Sequence, residues 1–306
     1  MIEFKNVHLN IKNVDVSNDI SFKIMDNTVT CFLGSKNSGK SSILKMIAGI
    51  YKSYTGEILI DDKNIRDFKE KKIGIVNEQE EKDTYITVVE YLNFYGSLYD
   101  TIEKDQLSEF IDEMLNRFSL MSYKYTYMHQ LEKENYKFVE MIRLLIYDPD
   151  IFLLDNLFFG DNVEYHEKMF AFIKTLIGKK TIIFASRNTN YIESICDNIG
   201  ILDNGILIAF DKKEDIYKYA DIVDKIEIKV LGDIDRVVSK LKENDKILNI
   251  SYDDSSIVIA LKSKDRYMDH KEIEYGILKS LIDNNIKVYS FRKQQVRYEQ
   301  LFEGIS

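Results

Sequence analysis

The chain has 306 residues, enough for a large core and more than one domain. Its net charge of -9 argues against nucleic acid as the main partner, because a surface that binds a phosphate backbone is basic. Two cysteines, Cys31 and Cys196, form no disulfide framework and point to a reducing compartment, and no apolar run is long enough for the chain to be expected to cross a membrane itself.

Met1 to Leu9 and Ile20 to Ile24 read as two short strands joined by a polar turn, an antiparallel pair. Val29 to Leu33 is β-branched and apolar, as a buried strand is, and Ser42 to Ala48 has helical spacing. Between them runs Gly34-Ser35-Lys36-Asn37-Ser38-Gly39-Lys40-Ser41-Ser42, which fits G-x-x-x-x-G-K-[ST] in the strand–loop–helix context that the motif requires. Glycines let successive N–H groups face one centre, a nest for phosphate oxygens, and the helix N-terminus adds partial positive charge. Lys40 is placed to neutralise the β- and γ-phosphates, and the Ser41 hydroxyl to hold Mg²⁺.

Gly56 to Ile60, followed by an Asp61-Asp62 turn, and Lys72 to Val76 are further strands. From Val88 to about Met128 the pattern is helical and rich in tyrosine, which reads as the core of a helical subdomain or as a docking face for another protein. A helix over Glu134 to Tyr147 stops before Pro149. Ile151 to Asp155 is an apolar strand tipped by a carboxylate, Val163 to Ile177 is helical, and Thr181 to Ala185 and Ile199 to Leu202 are strands, the second turning at Asn204-Gly205. Near-continuous apolar strands alternating with helices predict a mostly parallel sheet covered on both faces. Beyond Ala220 the order is strand, helix, strand, strand, helix, strand, a βαββαβ split unit without a motif. The boundary is expected at 219/220, with a helical subdomain at about 85–147. His8, His129, His166 and His270 lack metal-ligand spacing and are taken, with the cysteines, as structural.

With Asp155 in place, the chain resembles the ATP-binding subunits of ATP-binding-cassette (ABC) transporters, and within them the drug, polypeptide and lipid exporters with a small C-terminal domain. The similarity runs through Gly56 to Asp61, Ile73-Gly74 to Thr87-Val88, Arg143 to Pro149, Ile199 to Gly205 and the tail Tyr298 to Phe302. It implies an α/β, P-loop NTPase domain of ABC type: a mixed, mostly parallel sheet, an antiparallel β subdomain and a helical subdomain. The C-terminal unit is then a small ferredoxin-like α+β domain. It also implies ATP and Mg²⁺ as ligands, with Ser41, Asp155 and Glu78 at the metal, and two subunits that sandwich two nucleotides. The partners implied are a separate membrane permease and either a second ATPase subunit or another copy of this chain, at the cytoplasmic face of the cell membrane.

Several positions depart from that family's pattern. Asn156 stands where a Glu usually positions the attacking water, and an amide cannot accept a proton at neutral pH. Arg187 replaces a histidine, Glu78 occupies the Q-loop position with Gln79 next to it, and Asn162 falls on the D-loop aspartate. Leu131-Glu132-Lys133-Glu134-Asn135 replaces LSGGQ, so two carboxylates stand where phosphate is contacted. The adenine-stacking aromatic is missing, with Ile11 near its place. The expectation is nucleotide binding with weak hydrolysis; a non-hydrolysing regulatory scaffold or a weakly active ATPase is the alternative.

Overall fold

The computed structural model describes residues 1–11, 14–67, 72–78, 85–99, 101–187, 194–216, 222–231, 234–242, 247–252, 256–262, 270–283 and 286–295. The chain divides into two compact units, Met1–Lys213 and Glu214–Ser306, so the division falls before the expected 219/220.

The first unit is built on one ten-stranded sheet. Its parallel part consists of β3 (Val29–Leu33), β6 (Ile73–Val76), β7 (Ile151–Asp155), β8 (Thr181–Ser186) and β9 (Asn198–Asp203), in the order β9-β3-β8-β7-β6. β3, β7 and β8 are buried along their whole length, which explains why their sequences do not alternate. The antiparallel part joins β1 (Ile2–Ile11), β2 (Val14–Ile24), β4 (Tyr54–Ile60) and the short β5 (Lys63–Asn64), and connects through β10 (Ile206–Lys212) to β9. Phe4 stacks on Phe22 at 4.4 Å between ring centroids and Phe22 on Phe210 at 5.1 Å, packing the two parts into one core.

β2 begins at Val14, where the sequence reads as a polar turn. The ribbon keeps its pairing through bulges, with Asn6 at φ 47° and Asp19 at φ 49°, and the Asn6 amide donates to Asp19 at 2.8 Å. Asn and Asp tolerate this left-handed conformation, so residues typical of turns sit inside a strand pair. The helical stretch from Val88 resolves into α2 (Val88–Tyr99) and α3 (Lys104–Arg117), followed by 3-10 turns at Met121–Tyr123 and Met128–Gln130. α1 (Lys40–Ile47), α4 (Lys133–Tyr147) and α5 (Val163–Lys174) complete the unit.

The second unit runs β11 (Ile222–Leu231), α6 (Ile234–Leu241), β12 (Ile247–Tyr252), β13 (Ser256–Lys262), α7 (His270–Asp283) and β14 (Lys287–Gln295). Its sheet is antiparallel throughout, in the order β12-β13-β11-β14, and Ile226, Ile228, Val237, Ile257, Ile259 and Leu281 fill its core. The βαββαβ order and strand arrangement are those of the split βαβ unit. The tail Tyr298 to Phe302 and Gln79 lie outside the described residues.

Candidate functional site

Four adjacent parallel strands end at one edge of the sheet, and each delivers a part of the site. β3 runs into the Gly34–Ser42 loop, β8 into Arg187, β7 ends at Asp155 and leads to Asn156, and β6 is followed by Asn77 and Glu78. Ligands of open α/β sheets bind at this edge.

The loop needs its glycines. Gly34 has φ +151° and Gly39 φ +101°, and a side chain at Gly34 would run into the Leu202 carbonyl. Lys40 opens α1 and is buried, its Nζ donating to Gly34 O at 2.8 Å, Ser35 O at 2.5 Å and Ser38 Oγ at 3.0 Å. Burial, and then the Arg187 guanidinium, lower the Lys40 ammonium from the usual 10.5 to about 8. The Ser41 hydroxyl donates to Asp155 Oδ1 at 2.9 Å. Burial pushes the Asp155 carboxyl up; the Ser41 bond opposes that shift and the Glu78 charge adds to it. A hydroxyl and a carboxylate held together in this way are the oxygen donors that Mg²⁺ takes, and Lys40 with the loop amides suits a polyphosphate.

The three departures nearest the loop meet one another. Asn156, at φ 47°, donates from Nδ2 to Glu78 Oε1 at 2.8 Å, and its backbone N–H donates to Ala185 O at 2.7 Å. Arg187 donates to the same Glu78 oxygen at 2.5 Å. Leu131 to Asn135 stands elsewhere, at the start of α4: Glu132 precedes the helix, Glu134 lies in its first turn and the Lys133 ammonium sits 4.2 Å from the centre of the Phe159 ring. Asn162 caps α5, accepting from Tyr165 N at 3.1 Å. Ile11 ends β1 opposite Val14.

Sequence reasoning passed over Lys137. It is fully buried in α4, and its Nζ donates to the Glu78 carbonyl at 3.1 Å and to the Asn77 carbonyl. Arg143, two turns further along, donates to Ile75 O at 2.8 Å. Together they fix the backbone that presents Glu78. The available signal was a lysine directly before Phe138 and Val139 in a helix with many apolar residues, since a buried charge needs acceptors.

A family model described as ABC transporter matches residues 17–158, from β2 through the loop to just past Asp155 and Asn156. The first unit has the ABC-type P-loop NTPase fold. An uncharacterized ABC transporter ATP-binding protein of Methanocaldococcus jannaschii, MJ1023, is 27% identical over 88% of this chain and 93% of its own. The energy-coupling factor transporter ATP-binding protein EcfA1 of Methanospirillum hungatei is 22% identical over 78% of this chain and 88% of its own. Among solved structures, the ATP-binding cassette MJ0796 bound to ADP and Pi superposes with a TM-score of 0.61 at 21% identity, covering 70% of this chain and 99% of that one. In this fold Gly34 to Ser42 joins β3 to α1, and Asp155 ends β7 beside β8. Among the described residues, no helix is long and apolar enough to cross a membrane and no group of three His, Cys, Asp or Glu side chains is placed to hold a metal ion.

Proposed function

We propose that the chain is the ATP-binding subunit of an ABC exporter, bound at the cytoplasmic face of a membrane to a separate permease. It pairs with a second ATPase subunit or a second copy of itself, and it couples dimer closure to the permease while hydrolysing ATP slowly. The observation that carries the nucleotide reading is the Gly34–Ser42 loop with Lys40 turned into it and Ser41 bonded to Asp155. Lys40 and the loop bind the triphosphate; Ser41 and Asp155 would hold Mg²⁺, which would screen phosphate charge there. Slow turnover is supported by Glu132 and Glu134 at the segment that closes on a partner's nucleotide, because carboxylates there repel phosphate. Tyr85, Phe94 and Tyr125, each more than half exposed in the helical part, suit the permease contact. The exporter assignment rests on the C-terminal split βαβ unit. Co-purification of the full chain with a multi-span protein tests the assembly, and recovery of the chain alone argues for a nucleotide-sensing scaffold.

Nucleotide affinity is expected to fall as pH rises. A bound polyphosphate favours the charged Lys40, whereas the free protein loses that proton at about 8. Binding above this pH therefore takes up a proton, and Kd rises by up to about tenfold per pH unit toward pH 10. For folding the sign is opposite: the unfolded chain holds more protons between pH 8 and 10.5, so this lysine's contribution to stability increases with pH across that window. Fluorescence titrations at pH 7, 8, 9 and 10 check the first statement, and a flat Kd contradicts it.

Asn156→Glu alone is not expected to restore normal turnover. Glu134 and Glu132 remain, and the new carboxylate faces Glu78 across the contact that is now 2.8 Å. Like charges at that spacing repel and displace one another. Steady-state phosphate release at a normal rate from this single variant would refute the assignment of Leu131 to Asn135.

A further inference from the structure

We propose that Glu78, hydrogen-bonded to Asn156, is the catalytic carboxylate of this site; the inference rests on the nucleotide reading above. Asn156 and Glu78 touch at 2.8 Å, beyond the ends of β7 and β6 at the sheet edge where β3 runs into the Gly34–Ser42 loop. The site keeps one amide and one carboxylate there, with the carboxylate on the β6 side. Asn156 and Arg187 both donate to Oε1, and among the described residues no donor occupies Oε2. One oxygen therefore has two donors, and the Glu78 side chain as a whole is 38% exposed.

The carboxylate is presented by an anchored backbone. Lys137, in the core, holds the Asn77 and Glu78 carbonyls, and Arg143 holds that of Ile75. The Glu78 charge also reaches the rest of the cradle, acting on both Lys40 and Asp155.

In the reaction, Glu78 Oε2 accepts a proton from the attacking water as its oxygen bonds to the γ-phosphorus. The bond from that phosphorus to the β–γ bridging oxygen breaks, ADP departs with the electron pair, and Glu78 returns its proton to the phosphate released. Asn156 is a positioning residue, able to donate and orient but not to take the proton. Arg187 is the counter-charge paired with Glu78 Oε1. Slow turnover follows from a carboxylate shared with two donors and a closing segment that repels phosphate.

The test uses the purified full chain and the variants E78Q, N156A and the exchange E78Q/N156E, with two readouts: Kd for ATP with and without Mg²⁺, and single-turnover hydrolysis. E78Q is expected to lose hydrolysis by 10²- to 10⁴-fold with both Kd values within about threefold of wild type. N156A is expected to lose less than tenfold, and the exchange to regain at least tenfold over E78Q. Undiminished hydrolysis in E78Q, or no hydrolysis in the wild type, overturns the proposal while leaving nucleotide binding intact. A loss of affinity in E78Q only when Mg²⁺ is present also overturns it, making Glu78 a metal ligand instead. Failure of the wild type to bind ATP removes the underlying nucleotide reading as well.

Discussion

Lys40→Ala is expected to lower the affinity for ATP at least about a hundredfold and to leave the fold intact. Nζ is buried inside the loop, within hydrogen-bond distance of three loop oxygens, so its ammonium already occupies the centre that a triphosphate would enter. A phosphate takes over that ammonium with a stronger, charge-assisted bond. Losing a buried charged contact of this kind costs about 2–5 kcal/mol, and every 1.4 kcal/mol is a factor of ten. Stability responds differently. Burial already disfavours the charge, lowering its pKa to about 8, so deletion removes an electrostatic cost along with the hydrogen bonds. Isothermal titration and thermal melting of the same variant read the two effects separately. Unchanged affinity would remove the loop from the site, and a collapsed fold would make Lys40 a structural residue.

The second large effect is on the fold around α4. Glu140 and Arg143 form a buried pair at 3.1 Å, joined by the Tyr91 hydroxyl, the Tyr99 hydroxyl at 3.1 Å and the Ile75 carbonyl at 2.8 Å. Burial and the Glu140 charge push the Tyr91 hydroxyl far above its usual range, so it remains a donor. The network ties α2 and α4 to β6, the strand that leads to Glu78. Arg143→Met leaves Glu140 buried without its countercharge, at an expected cost of about 3–5 kcal/mol. For a unit of this size that lowers the melting midpoint by about 6–20 °C. Glu140→Leu combined with Arg143→Met is expected to recover much of the loss, because replacing both partners by apolar groups removes the orphaned charge. Single and double variants melted side by side decide it: a double variant as unstable as the single would mean that packing, not the lone carboxylate, sets the cost.

The parts of the site that were legible in the sequence are those fixed locally. A phosphate loop is a backbone shape, so Gly34, Gly39 and Lys40 announce it at fixed offsets, and flanking residues of opposite period confirm the strand and the helix. Asp155 was legible because one carboxylate ends an otherwise apolar strand. The order of elements in the C-terminal unit also followed from period alone. What was not legible is the meeting of Glu78, Asn156 and Arg187. Each looked like a separate departure, since they lie on three strand ends brought together only by the order β8-β7-β6. Residues 14–19 were misread because Asp, Ser and Asn favour turns, yet here they line a bulged ribbon that accommodates left-handed Asp19.

The central claim is a subunit that retains its triphosphate cradle and cuts the triphosphate slowly. It is tested most directly by measuring steady-state phosphate release from the pure chain at an ATP concentration where binding is saturated with Mg²⁺. The account predicts full occupancy with turnover at least about a hundredfold below the 1–10³ s⁻¹ typical of enzymes. Rapid turnover under those conditions, or no occupancy, would contradict it.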